Sequence, residues 1–260
     1  MNTYLTGPVF KGLRVHQSGP VLSVELHAPE TGNALTAAML DELLAVLSGL
    51  PDRPDIRILV LSGAGDDFCV GADREEYGAA LRTDPGGGLL RRIGDKAQRV
   101  CEVLESAGVV TVARLHGKVI GAGLALAAFC DLRVGADTCR FRMPEVGLGV
   151  PPAWGGALGR LVSEAGASRI RRYMLTCEGF GAAQALDMAI LHKVAAPHEL
   201  DAAIESWVRP LTRRSPEALT LTKRMLTVQS RANRPADSGL LDAHLLVSQL
   251  APLPSDPFTA

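Results

Sequence analysis

The sequence feature that most constrains the fold is a pair of glycine-rich turns, each placed between a strand-like and a helix-like segment. Residues 68–73 (FCVGAD) follow the apolar segment 56–61 (IRILVL), and residues 116–125 (HGKVIGAGLA) follow 109–115 (VVTVARL). The second turn matches neither the G-x-G-x-x-G pattern of dinucleotide-binding folds nor the G-K-[ST] pattern of phosphate loops. Strands that alternate with helices in this way predict an α/β fold with buried strands.

The remaining segments continue this alternation and become more helical after residue 178. Thr36 is a candidate N-cap for the next helix. Asp73 and Glu76 resemble a capping box that opens a helix at Arg74, and Asp131 is expected to cap locally. We predict further strands at 21–26, 132–134, 141–143 and 190–194. We predict helices at 91–104, 124–129, 182–189, 199–211, 216–230 and 240–250, and a mobile loop at 83–88.

Both glycine-rich turns place free backbone N–H groups at the start of a helix. Such groups suit an anion or a developing oxyanion, although an ordinary strand-to-helix connection has the same pattern. His116 is either a candidate base or a residue of the turn. Glu145 lies in an apolar segment rich in Gly and Pro. It is either a desolvated carboxylate suited to acid–base catalysis or an exposed loop residue.

Composition excludes several classes of function. The 27 Lys and Arg against 28 Asp and Glu give a net charge of −1, which provides no electrostatic basis for a nucleic-acid or membrane partner. No apolar run approaches the ~20 residues of a membrane helix, and the opening residues lack a signal-peptide layout. The scattered cysteines predict free thiols in a reducing cytoplasm and no metal site. They are Cys69, Cys101, Cys130, Cys139 and Cys177.

Three segments, in this order and spacing, resemble the crotonase (enoyl-CoA hydratase/isomerase) superfamily. They are residues 61–77 (LSGAGDDFCVGADREEY), 116–134 (HGKVIGAGLALAAFCDLRV) and 141–161 (FRMPEVGLGVPPAWGGALGRL). The resemblance implies a crotonase-like spiral of ββα units over residues 1–200. It also implies a C-terminal helical oligomerisation region over residues 201–260 and assembly as a homotrimer or homohexamer. The implied substrate is an acyl-CoA thioester, with no separate cofactor because coenzyme A is part of the substrate.

The resemblance also implies a site for a thioester enolate. The backbone N–H groups of Ala72 and Ala122, which follow Gly71 and Gly121, would form its oxyanion hole. Charge that develops on the thioester oxygen must be met by preorganised donors, each typically worth ~3 kcal/mol. The superfamily usually has glycine at the second position. Alanine can serve there because only the backbone acts, provided that the φ and ψ angles suit a residue with a Cβ.

The acid–base residues depart from the hydratase pattern. Hydratases of the superfamily use two glutamates, and the corresponding positions here are Ala125 and Glu145. Alanine cannot hold or deprotonate water, whereas one carboxylate can move a proton from C2 to C4. The sequence therefore favours an enoyl-CoA isomerase with Glu145 as its catalytic residue. The alternatives are a hydratase-lyase, a decarboxylase, a thioester hydrolase or a non-catalytic acyl-CoA-binding protein.

Several other residues have two interpretations. Tyr77 either lines the substrate pocket or packs beside a helix, and Trp154 either forms a wall of that pocket or belongs to the core. Lys223 and Arg224 lie either near the CoA phosphates or on a solvated helix face. Ala28 stands where many superfamily members carry a basic residue. The carrier is therefore either coenzyme A or an acyl carrier protein.

Overall fold

The computed structural model describes residues 10–232 and 241–250. Within these ranges the strands are β1 Leu13–Ser18, β2 Val21–Leu26, β3 Ile58–Gly63, β4 Val110–Leu115, β5 Lys118–Ile120, β6 Leu132–Ala136, β7 Arg140–Arg142, β8 Phe180–Gly181 and β9 Lys193–Ala195. The helices are α1 Ala37–Ser48, α2 Arg74–Thr83, α3 Gly88–Ser106, α4 Ala122–Ala128, α5 Ala157–Ala165, α6 Ala167–Thr176, α7 Ala182–Asp187, α8 Leu200–Leu211, α9 Pro216–Ala232 and α10 Asp242–Leu250.

The strands form two sheets. The larger sheet has the order β1-β2-β3-β4-β6-β9, in which only β1 and β2 are antiparallel, and the smaller has the order β5-β7-β8. Parallel bridges from Leu35 to Ala72 and from Cys69 to Val119 extend the pairing of the smaller sheet to earlier parts of the chain. Successive passes of the chain thus supply a strand to the larger sheet, a strand or bridge to the smaller one, and a helix. This arrangement confirms the expected spiral of ββα units.

Local sequence signals explain most of these elements. The side chain of Thr36 caps α1 by accepting a hydrogen bond from the Met39 N–H at 3.2 Å, and the predicted leucine face of α1 is buried. Strands β3 and β4 are buried on both faces, as their continuous apolar sequence predicts. The predicted strands and helices are present with ends shifted by a few residues. The loop at 83–88 does connect α2 to α3, and its mobility remains a prediction.

The structure differs from the sequence prediction in several elements. Strands β1, β5 and β8 and helices α5 and α6 were not expected. No side chain caps α5 or α6, and each helix begins after a glycine, so the usual start signal is missing. The capping box at α2 is half formed. Asp73 caps the helix, but the Glu76 carboxylate accepts from the Ala37 N–H at the start of α1.

The C-terminal helices pack onto the spiral. Helix α10 lies against α3, and α9 inserts the Lys223 ammonium group into a buried position. Lys223 pairs with Asp131 at 2.7 Å and donates to the carbonyl oxygens of Leu104 and Val109. Lys223 is therefore neither on a solvated face nor free for a CoA phosphate. Asp131 is not a local cap, because its carboxylate pairs with Lys223 and accepts from the backbone N–H and the hydroxyl of Thr111 on β4. No helix in residues 10–232 or 241–250 is long and apolar enough to cross a membrane.

Candidate active site

The two glycine-rich turns lie directly against each other. The Cys69 N–H donates to the Lys118 carbonyl at 3.1 Å, and the Ile120 N–H donates back to the Cys69 carbonyl at 3.0 Å. A Cβ added to Gly123 would lie 2.6 Å from the Cys69 oxygen, so only glycine permits this approach. The start of α4 and the turn before α2 thus form one continuous backbone surface.

Two amide N–H groups on this surface are unpaired. The Leu35 N–H donates to the Gly71 carbonyl, and the Asp73 N–H donates to the Leu35 carbonyl. The N–H of Ala72, which lies between these two residues in the chain, has no acceptor among the described residues. The same holds for the Ala122 N–H in the first turn of α4. A Cβ built on Gly71, the residue before Ala72, would lie 3.8 Å from the Ala122 nitrogen. The N–H groups of Ala72 and Ala122 are therefore neighbours. Such a pair can bind an oxygen atom that carries negative charge.

Glu145 reaches this surface through the smaller sheet. Strand β7 pairs in parallel with β5, and the Gly121 N–H donates to the Arg142 carbonyl at 3.0 Å. The chain then turns at Glu145 into a short 3-10 helix, Val146–Leu148. A Cβ built on Gly121, where φ is +48°, would lie 3.0 Å from Glu145 Oε1. Glycine at position 121 therefore lets the carboxylate lie beside the Ala122 amide.

The Glu145 carboxyl group is in an environment suited to proton transfer. The residue is half-buried, and its Oε2 atom is buried without a hydrogen-bond partner among the described residues. Burial raises the pKa of this carboxyl above its usual value, and a hydrogen bond to its own backbone amide opposes the shift. The exposed-loop interpretation of Glu145 is therefore wrong. An unpaired carboxylate with a raised pKa is suited to take up and return a proton.

Tyr77 and Trp154 contribute two further unpaired polar atoms. The Tyr77 hydroxyl and the Trp154 indole N–H are both buried, and neither makes a hydrogen bond of normal geometry with the described residues. Burial raises the Tyr77 pKa to about 12. The nearby indole N–H opposes the shift, and the carboxylates of Glu76 and Asp73 add to it. The tyrosine is therefore a neutral hydrogen-bond donor at neutral pH.

Ala125 lies three residues after Ala122, on α4, and is almost fully buried. Every residue of α4 is buried, and none carries a charge or a polar side chain. Ala122 itself is the first residue of the helix, so its backbone conformation accepts a Cβ. The position of the first hydratase glutamate thus holds a methyl group within an apolar helix.

Other residues singled out in the sequence have structural contacts. The His116 Nε2 atom hydrogen-bonds the Gly65 carbonyl at 2.9 Å and holds the turn. Arg224 is exposed on α9. One contributor was missed, since the Cys177 thiol accepts from the Gly147 N–H at 3.2 Å and holds the 3-10 helix next to Glu145. No local pattern marks this contact, because α5 and α6 separate the two residues in the chain.

The thiols and the acidic groups form no candidate metal centre in the part of the chain that the structure describes. All five cysteines are free and buried. Residues 10–232 and 241–250 contain no group of three or more His, Cys, Asp or Glu side chains placed to hold a metal ion.

Sequence comparison relates the chain to enzymes that act on enoyl thioesters. A family profile described as enoyl-CoA hydratase/isomerase matches residues 16–250. A short-chain-enoyl-CoA hydratase of Clostridium acetobutylicum is 29% identical over 215 residues, which cover 82% of this chain and 79% of the relative. A peroxisomal Δ(3,5)-Δ(2,4)-dienoyl-CoA isomerase of Arabidopsis thaliana is 29% identical over 222 residues, which cover 82% and 80%.

Solved structures have the same fold. A Thermobifida fusca protein assigned as an enoyl-CoA hydratase, in complex with acetoacetyl-CoA, is 30% identical with a TM-score of 0.78. The match covers 93% of this chain and 96% of that one. A Thermobifida fusca structure in complex with CoA gives a TM-score of 0.74 at 29% identity and covers 92% and 93%.

Proposed function

Because the chain belongs to the enoyl-CoA hydratase/isomerase family, we propose that it is an enoyl-CoA isomerase that moves a double bond from the β,γ to the α,β position. The observation that carries this proposal is the unpaired carboxylate of Glu145, since the nearby carboxylates of Asp73 and Glu76 accept hydrogen bonds from backbone N–H groups at the starts of α2 and α1. Glu145 lies beside the unpaired Ala122 amide, and Ala125 occupies the position of the other hydratase glutamate. Isomerisation needs one base that returns the proton it takes, whereas the two-glutamate hydration mechanism needs a second group to hold water.

In the proposed reaction, the Glu145 carboxylate removes a proton from C2 of the β,γ-enoyl thioester. The electron pair of the C–H bond moves toward the thioester carbonyl and forms a dienolate. The N–H groups of Ala72 and Ala122 donate to the oxyanion, and each such donor typically contributes ~3 kcal/mol to transition-state stabilisation. The Glu145 carboxyl then returns the proton to C4, which restores the carboxylate and leaves the α,β isomer. The raised pKa of Glu145 supports both steps.

The same site fits a hydratase-lyase, a decarboxylase or a thioester hydrolase, each of which would use the two amides. A non-catalytic acyl-CoA-binding protein is the alternative of a different class. The buried, unpaired Oε2 atom of Glu145 favours an enzyme, because burial of an unpaired carboxylate is unfavourable and a binding protein has no need of such a group. The apolar surroundings of Ala125 favour isomerisation among the enzymes, since they exclude water from the dienolate.

We propose coenzyme A as the carrier, which the complexes of related proteins with CoA and acetoacetyl-CoA support. An acyl carrier protein remains the alternative. We also propose assembly through α9 into a homotrimer or homohexamer. Large apolar side chains are exposed on this helix, and a further subunit would cover them. They are Leu221, Met225, Leu226 and Val228.

A paired assay in deuterated water tests the proposed reaction. The protein receives a β,γ-enoyl-CoA and, separately, its α,β isomer, and the products are separated by chromatography and mass spectrometry. We expect interconversion of the isomers, deuterium at C2 and C4, and negligible water addition. Rapid formation of a 3-hydroxyacyl-CoA would contradict the isomerase assignment, and binding without any reaction would favour the non-catalytic alternative.

A further inference from the structure

Tyr77 and Trp154 bury two hydrogen-bond donors that the fold leaves unpaired. Neither the Tyr77 hydroxyl nor the Trp154 Nε1–H makes a hydrogen bond of normal geometry within residues 10–232 and 241–250, although the indole N–H lies close to the hydroxyl oxygen. A buried polar group without a hydrogen bond is destabilising by roughly 1–3 kcal/mol, so native proteins rarely retain one without a ligand or a function. Two such donors next to each other are therefore a marker of a binding site.

The pair belongs to the same region as the proposed oxyanion donors. Tyr77 lies four residues after the N-cap Asp73, which follows Ala72, so about 6 Å of helix axis separates it from the turn. Helical side chains tilt toward the N-terminus, which directs Tyr77 back toward that turn. Trp154 lies at the end of the segment that begins at Glu145. This segment is held by the Val150 N–H, which donates to the Glu145 carbonyl at 3.0 Å.

The surroundings of the pair are apolar. Tyr77 and Val150 pack against a cluster formed by Leu90, Ala153 and side chains of α10. A hydrocarbon group held against these side chains would leave both donors without a partner. An oxygen atom on the ligand would pair with them in a low-dielectric setting, where such hydrogen bonds discriminate strongly.

The charge near Tyr77 decides which oxygen fits. The indole N–H can only donate, and the tyrosine O–H is available to donate, so a ligand oxygen that accepts suits both groups. Burial of the Tyr77 hydroxyl disfavours an ionised group at this position, and the carboxylates of Glu76 and Asp73 add to this effect, so a ligand carboxylate is disfavoured as well. The complementary group is a neutral hydroxyl or carbonyl oxygen.

We propose that Tyr77 and Trp154 select acyl thioesters that carry a neutral oxygen function on the acyl chain, a few bonds beyond the thioester. This inference rests on the proposed function for the presence of the thioester. It adds the substrate class, which is an oxygenated acyl group rather than a plain hydrocarbon chain. Both residues are specificity-determining and take no part in proton transfer.

Binding of saturated, unreactive thioesters tests the inference independently of turnover. Calorimetry compares 6-hydroxyhexanoyl-CoA with heptanoyl-CoA, which replaces the hydroxyl by a methyl group of similar size. The shorter pair 5-hydroxypentanoyl-CoA and hexanoyl-CoA samples the position of the oxygen. We expect the wild type to bind the hydroxylated member of at least one pair about tenfold more tightly, from hydrogen bonds in a dry site.

The variants are Tyr77→Phe and the matched control Tyr173→Phe. Tyr173 is a buried tyrosine on α6 that packs against Phe180 at a ring-centroid distance of 4.6 Å. We expect Tyr77→Phe to abolish the preference for the hydroxylated ligand and to leave heptanoyl-CoA binding unchanged, while Tyr173→Phe retains the preference. The melting temperature of Tyr77→Phe should not fall, because the hydroxyl makes no hydrogen bond of normal geometry in the free protein.

Each outcome has a definite meaning. Equal binding of both members of both pairs by the wild type would overturn the inference alone, as would a preference that survives in Tyr77→Phe. A clear drop in the melting temperature of Tyr77→Phe, with no change in preference, would also overturn it and assign the hydroxyl a structural role. Failure of all four thioesters to bind would overturn the proposed function and this inference with it.

Discussion

Replacement of Glu145 by glutamine should separate activity from stability. Glutamine keeps the length and shape of the side chain, so the contact of Glu145 Oε1 with Gly121 is preserved. The variant loses only the ability to take up and return a proton. Loss of a positioned general base lowers the rate by about 10²–10⁴-fold, which is roughly 3–5 kcal/mol at 1.36 kcal/mol for each factor of ten.

The thermal stability of Glu145→Gln, unlike its activity, should not fall. The wild-type carboxylate is held in a partly desolvated position with an unpaired Oε2 atom, and this disfavours the charged form. A neutral amide removes that penalty, so Glu145→Gln should melt at the same temperature as the wild type or higher. The exposed Glu178, which pairs with Arg172 at 2.8 Å, provides the matched control. Glu178→Gln should leave activity unchanged and alter stability by less than about 1 kcal/mol.

The pH dependence gives a further readout of the same group. Because burial raises the Glu145 pKa above 4.5, the acid limb of the rate profile should lie above the range of an ordinary glutamate and vanish in Glu145→Gln. The folded protein binds this proton more tightly than the unfolded chain, so wild-type stability should fall as the pH rises through the window above 4.5. The variant should lack this fall.

The assay measures kcat and KM for β,γ-enoyl-CoA isomerisation together with thermal denaturation across pH. Residual activity of Glu145→Gln within tenfold of the wild type would refute the assignment of Glu145 as the base. Equal losses of activity and melting temperature would instead indicate that Glu145 supports the fold. Only loss of activity with retained stability agrees with the unpaired, desolvated carboxylate in the structure.

Three further predictions concern the supports of the site and the assembly. Gly121→Ala should destabilise the protein by about 1–3 kcal/mol, because alanine is strained at φ +48°. It should also lower kcat, because the added Cβ displaces the Glu145 carboxylate. Denaturant titration measures the stability, and steady-state kinetics measures kcat. Lys223→Met should destabilise it by about 3–5 kcal/mol, since Asp131 would lose its buried partner, and a change below 1 kcal/mol would contradict this. Met225→Glu should shift the mass measured by light scattering from a trimer or hexamer toward a monomer if α9 forms the interface, whereas an unchanged mass would exclude it.

The features that the sequence determines by itself are those encoded by neighbouring residues. The leucine spacing and the Thr36 cap specify α1, and the two glycine-rich turns specify where strands lead into helices. The order of the motifs identified the family and the spiral of ββα units. It also led to Ala72, Ala122 and Glu145, whose roles remain proposals. Helices α5 and α6 were not predicted, and no side-chain cap marks the start of either helix.

Tertiary structure decided the environment of each side chain. The sequence leaves Glu145 open as either an exposed or a desolvated carboxylate, and the parallel pairing of β5 with β7 places it against Gly121. Lys223 has the sequence context of a surface residue, yet α9 buries it against Asp131. The unpaired donors of Tyr77 and Trp154 are likewise visible only once α2 and the segment after Glu145 meet. Caps and periodicity depend on residues a turn apart, whereas burial and pairing depend on which distant segments the sheets bring together.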